Sequence, residues 1–378
     1  MGIEGTCADR FAAVRDQFEA NFRDHGEVGA SVALTIDGEM VVDLWGGEVT
    51  TDSAASAPWE RDTIINVFST TKTMTALCCL MLADRGYLDL HGPVAAYWPE
   101  FKTCGKERVT TAHIMSHTAG LSGWEQPINV DDLYDWDTAT SLLAAQAPWW
   151  EPGSASGYHA VTQGYLLGEI VRRITGQTVG QFFAAEVAGP LGADFHIGTP
   201  AEHDARVAHV IAPTPDLGDR AEMGPMAVRT LTNPTLHASV SATIPWRRAE
   251  IPAAGGHGNA RAVAHVHSVV ACGGSAHGVN LMSEAGCHRI FEELIYGQDL
   301  VLPVVLRLGM GFGLPSPEMP ISPNEHACFW GGWGGSLAVI DLDARMSFAY
   351  VMNKMGEGTT GDLRGAGLLF AAYASLAG

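Results

Sequence analysis

The stretch from Met74 to Ala83 is almost uninterruptedly apolar, and the chain enters it through Val67-Phe68-Ser69-Thr70-Thr71-Lys72-Thr73. Such a run reads as a helix buried in a core, and it is too short to span a bilayer. Its first turn brings a hydroxyl and an amine together. Residues i and i+3 of a helix lie on one face about a turn apart, so the Lys72 amine is within reach of the Ser69 hydroxyl. A serine is a weak nucleophile near neutral pH and becomes a useful one beside a base. At a helix start, unpaired backbone N–H groups and the helix dipole also favour developing negative charge. The competing reading is a plain N-cap at Ser69 or Thr70 followed by an exposed lysine. Lysine is electrostatically disfavoured at that end of a helix, and the chain has only four lysines to place, Lys72, Lys102, Lys106 and Lys354.

Composition bounds the rest. A chain of 378 residues with 47% hydrophobic and 17% charged residues has material for a sizeable core, in two or three domains or one large discontinuous one. The net charge of −20 argues against nucleic acid and anionic membranes, both of which attract basic surfaces. Seven cysteines is an odd number, Cys78-Cys79 falls inside the apolar helix, and no CxxC spacing occurs. They are expected to be reduced and mostly buried, with no metal site. The first residues show no basic segment followed by an apolar run, so a cytoplasmic location is expected.

Along the chain, Phe11, Val14, Phe18 and Phe22 recur at helical spacing and predict an amphipathic first helix ending near Gly26. Val32, Leu34 and Ile36, then Asp37-Gly38, then Met40, Val42 and Leu44 predict a hairpin with one buried face. Between Tyr87 and Arg289 helical segments dominate, clearest at Leu142–Ala145 and at Tyr165–Val171, the latter stopping at Thr175-Gly176. Residues 200–255 are expected to be largely irregular. Strand pattern returns at Ser336–Ile340 and Met346–Met352, followed by a helix over Asp362–Ala377. Strands at both ends with helices between them imply an α/β (α+β) fold, with one sheet domain from residues 1–86 and 290–378 and a mainly helical domain from 87–289.

Two further stretches offer chemistry. Tyr158 follows the Gly/Ser-rich segment Gly153–Gly157 and precedes a helix, a position from which a phenol can relay or accept a proton; the alternative is a packed aromatic. Phe329-Trp330-Gly331-Gly332-Trp333-Gly334-Gly335-Ser336 opens a strand, and its glycines let a ligand approach a backbone N–H. A plain Gly-rich turn with a packed tryptophan is the alternative there.

Ser69-Thr70-Thr71-Lys72, Ser116–Leu121, Tyr158, Ala249–Gly258, Gly309–Gly313 and Trp330-Gly331-Gly332, in this order, resemble the class C β-lactamase and penicillin-binding-protein superfamily, most of all the family VIII carboxylesterases. The resemblance covers nearly the whole chain. It implies a β-lactamase-like fold, an antiparallel sheet flanked by helices with an inserted helical domain. It implies Ser69 as acylated nucleophile, Lys72 and Tyr158 as the proton-transfer pair, and the backbone N–H groups of Ser69 and Trp333 as oxyanion hole. Trp330, Gly331 and Gly332 stand in for the Lys-Thr-Gly strand motif as substrate-binding residues. The lactamase Tyr-x-Asn has Ala160 in its third place here, and the strand lysine is Trp330. Both changes remove polar anchors for a β-lactam and favour neutral short-chain esters. A small-molecule ester substrate and no cofactor are expected; β-lactam hydrolysis, acyl transfer and a catalytically silent scaffold are the alternatives.

Other sites are weaker. His113 and His117 share the i, i+4 spacing of zinc proteases, but Ile114 stands where HExxH has its glutamate. No GxSxG occurs, Gly309–Gly313 lacks the spacing of a dinucleotide fingerprint, and His257, His265 and His267 are expected to be structural or exposed.

Overall fold

The protein is described by a computed structural model over residues 2–53, 55–214, 223–359 and 361–377. The hairpin forms as expected: strand β2 (Gly29–Ile36) turns at Asp37 and Gly38, at φ 51° and 85°, and returns as β3 (Glu39–Thr50). Two consecutive left-handed residues give a tight turn whose twist matches that of the strands. An edge strand, β1 (Ile3–Cys7), pairs with β3. Its side chains face mostly outward, so it carries no buried alternation for a sequence pattern to show. The short β4 (Ser56–Pro58) also pairs with β3.

The C-terminal third supplies β5 (Ala327–Gly331), β6 (Leu337–Asp341) and β7 (Met346–Met352), which complete an antiparallel sheet in the order β1-β3-β2-β7-β6-β5. The two ends of the chain therefore meet at β2 and β7, paired from Met346 opposite Ile36 to Met352 opposite Ala30. Alternation sends Val32, Leu34, Val339 and Phe348 to one face, where helices α1 (Ala12–Asp24) and α5 (Leu363–Ala377) cover them with Val14, Phe18, Leu368 and Leu369. On the other face Ala33, Ala349 and Ala338 stand side by side across β2, β7 and β6. That row of methyl groups lets the buried helix α4 (Ala260–Ala271) lie close against the sheet. The expected antiparallel sheet flanked by helices is what forms.

Helix α2 (Thr71–Asp84) is buried along nearly its whole length, as its composition requires, and it packs against α3 (Thr162–Thr175), which ends at Gly176 with φ 72°. Within residues 200–255, short helices occur at Pro225–Leu231 and Ile244–Arg248. The expected irregular segment is thus partly ordered, and residues 215–222 lie outside the described residues.

Beneath the end of the sheet sits a buried ionic cluster. Arg364 Nη1 donates to Glu27 Oε1 at 2.8 Å and Nη2 to the Lys354 carbonyl at 2.8 Å, while Asp362 holds its other edge and Tyr350 donates to Glu27 Oε2. Burial raises the Glu27 carboxyl to about 7, against the pull of Arg364. The folded protein therefore keeps a proton that the unfolded chain releases near 4.5. The resulting stability is full below that value and is lost as pH rises through about 7. Urea unfolding across this window should show falling stability in the wild type and a flatter profile in Glu27→Gln; equal slopes would contradict the assignment.

Candidate active site

Ser69 lies one turn earlier than a position inside the helix: Phe68–Thr70 form a 3-10 turn that feeds α2. Phe68 adopts a left-handed conformation, φ 45°, uncommon for a bulky residue. It is held by its N–H to Asn66 Oδ1 at 3.3 Å, by the Thr71 hydroxyl donating to its carbonyl at 2.6 Å, and by ring contact with Trp333, centroids 5.0 Å apart. This kink aims Ser69 out of the helix start into the cleft, where the side chain remains 7% exposed.

Lys72 is buried and its Nζ meets three oxygens: Ser69 Oγ at 3.3 Å, the Ala160 carbonyl at 2.7 Å and the Ala253 carbonyl at 3.0 Å. Among the described residues no carboxylate pairs with it. Burial without a counter-ion holds its amine well below the usual lysine range. Tyr158 Oη donates to Ser69 Oγ at 2.5 Å, and its ring centroid lies 4.7 Å from Lys72 Nζ. Burial raises the phenol's pKa, so it enters the site as a donor.

Asp299, which no local pattern marked, and His117 hold Tyr158 in place. Asp299 Oδ1 accepts the N–H groups of Tyr158 at 3.1 Å and of Val301 and Leu302 at 2.8 Å each. His117, left-handed at φ 60° and not on a helix face shared with His113, packs its ring against Tyr158, Trp330 and His159. Its Nδ1 accepts the His159 N–H at 3.0 Å, and burial lowers the pKa of both imidazoles, to about 3 for His159. Neutral rings are what such acceptor contacts need. His117 is thus a buried prop, in keeping with a structural loop role. His257 and His267 are buried with lowered pKa values, and His265 is half-buried with its Nε2 at the Leu191 carbonyl.

The glycine-rich stretch closes β5 and turns into β6. Ser336 Oγ donates to the Val67 carbonyl at 2.8 Å and lies 2.9 Å from Thr70 Oγ1, so the turn is tied to both flanks of Ser69. A Cβ at Gly332 would stand 2.2 Å from Ser336 Oγ and 2.3 Å from the Val67 carbonyl, which leaves room only for glycine. Among the described residues the backbone N–H groups of Ser69 and Trp333 have no hydrogen-bond partner. Trp333 lines the cleft together with Phe68, Ser69, Tyr158 and Ala160 around a narrow cavity of about 70 Å³. Trp330, by contrast, packs inward on His117 and Tyr158 and is 3% exposed, and neither it nor Gly331 and Gly332 are among the residues lining that cavity. Among the described residues no group of His, Cys, Asp and Glu is placed to hold a metal ion, and no helix is long and apolar enough to cross a membrane.

Residues 14–372 match the family model described as Beta-lactamase. The chain belongs to the beta-lactamase family. Within it, the chain is 35% identical over 369 residues to the Esterase/beta-lactamase LipL of Mycobacterium tuberculosis, covering 93% of this chain and 83% of LipL. A crystal structure described as a family VIII carboxylesterase superposes with a TM-score of 0.93 at 43% identity, over 99% of this chain and 100% of the other. A penicillin-binding-protein homologue from Caulobacter crescentus gives a TM-score of 0.92 at 42% identity, again over 99% and 100%. Family and relatives place the chain among the serine hydrolases.

Because Gly332 is wedged between backbone and a hydroxyl, Gly332→Ala should lower unfolding stability by about 1–3 kcal/mol through overpacking and displace the turn that carries Trp333. Thermal unfolding of the variant checks this; a variant as stable as the wild type would show that the two segments are not locked together.

Proposed function

We propose that the protein is a carboxylesterase that hydrolyses short-chain esters through an acyl intermediate on Ser69. The observation that carries the reading is the set of contacts around Lys72 Nζ. A neutral amine has two hydrogens and one lone pair. The Ala160 and Ala253 carbonyls accept the two hydrogens, and the lone pair is left for the Ser69 hydroxyl. The amine takes the Ser69 proton as Oγ attacks the ester carbonyl. Tyr158, a protonated donor on Ser69 Oγ, relays that proton to the departing alcohol. The unpaired N–H groups of Ser69 and Trp333 receive the tetrahedral oxyanion. Water then attacks the acyl-enzyme, gives up a proton along the same path, and Ser69 leaves with it.

Ala160 and Trp333 supply an apolar wall near Ser69, and among the described residues no cationic side chain lines the cavity to take a β-lactam carboxylate. That favours neutral esters. A second reading, β-lactam hydrolysis, is favoured by LipL, whose name joins both activities. Comparing kcat/KM for short-chain p-nitrophenyl esters with a chromogenic cephalosporin separates the two, and esters losing that comparison would sink the primary reading. A silent scaffold would leave the protein unlabelled by a fluorophosphonate and without ester turnover.

Ser69→Ala should abolish both labelling and turnover, and Tyr158→Phe should lower kcat by about 10²–10⁴-fold. Lys72→Arg keeps a charge but cannot supply a neutral base, so it should fall as far as Lys72→Ala. In the wild type, kcat/KM should rise with pH through the lowered Lys72 pKa, with its acid limb well below the ordinary lysine value of about 10.4. An arginine variant with near-native turnover would remove Lys72 as the base.

A further inference from the structure

The cleft beside Ser69 is lined by apolar groups and by the hydroxyl-bearing residues Ser122 and Thr230. Ser122 Oγ and Thr230 Oγ1 both line the cavity and lie 2.7 Å apart. Two hydroxyls that share one hydrogen bond use one of their two hydrogens. Among the described residues neither makes another side-chain hydrogen bond, so one buried O–H is left over. A buried donor left unmade is costly, and a site built around one selects a ligand that supplies the missing atom.

We propose that this cavity takes the acyl group of the substrate, and that the acyl chain carries an acceptor oxygen, as an ether or ketone. The inference rests on the esterase reading of Ser69. The acyl group fills the cavity because it stays on Ser69 while the alcohol must leave before water arrives. Its oxygen sits against the Ser122–Thr230 hydroxyl pair. The substrates are therefore alkoxyacyl or oxoacyl esters rather than plain alkanoates.

The test compares p-nitrophenyl pentanoate with p-nitrophenyl 3-methoxypropanoate and 4-oxopentanoate, each rate divided by that ester's alkaline hydrolysis rate to remove intrinsic reactivity. The better oxygenated ester should exceed pentanoate in kcat/KM by about tenfold. In Thr230→Val and in Ser122→Ala that ratio should collapse toward one, with fluorophosphonate labelling of Ser69 showing that each variant is folded and competent. A wild type that shows no preference or favours pentanoate overturns the inference and leaves the esterase reading standing. A preference that survives both substitutions overturns it too. Absence of both turnover and labelling overturns the esterase reading, and this inference with it.

Discussion

The site depends on an amine buried with no carboxylate beside it. Exposed, Lys72 would hold its charge near neutral pH and offer Ser69 no lone pair. Paired with a carboxylate, it would be charged more firmly still. Instead two backbone carbonyls, Ala160 from the turn after Tyr158 and Ala253 from the segment before α4, accept from it. Desolvation pushes the amine toward neutrality. The carbonyls orient whatever hydrogens remain. The chemistry proposed for Ser69 follows from that placement and loses its base without it.

The surrounding fold converts this local arrangement into a rigid one. Three separate chain segments converge on the Ser69 turn: the Gly332–Ser336 turn through Val67 and Thr70, the Gly157–Ala160 segment through Ser69 and Lys72, and the Ala253–Gly256 segment through Lys72, Asn66 and Thr71. The sheet makes such convergence possible by pairing β2 with β7, so that strands from both thirds of the chain are neighbours. The ionic cluster of Glu27, Asp362 and Arg364 reaches the same turn from below, with Arg364 Nη2 3.4 Å from the Gly334 carbonyl.

Features with local causes were legible in the sequence. The Ser69–Lys72 spacing, the apolar helix behind it, the Asp37-Gly38 hairpin and the strands at Leu337 and Met346 each arise from neighbouring residues and a fixed period. The family resemblance added Tyr158 and the glycine turn, which spacing alone left open against a packed aromatic and a plain loop. What stayed hidden depends on distant partners. Asp299 is one acidic residue among many until its carboxylate is seen to gather three N–H groups. Ser122 and Thr230 are unremarkable until they face each other across the cleft. The inward packing of Trp330 was hidden for the same reason, since the ring it meets, His117, belongs to a loop with no periodic signal.

Lys72 can be observed directly. With four lysines in the chain, isotopic labelling of lysine side chains and NMR titration give four signals, and Lys72→Arg identifies the one of interest. The account predicts an Nζ that titrates well below the ordinary lysine value of about 10.4. A Lys72 signal that stays protonated up to that value would contradict it.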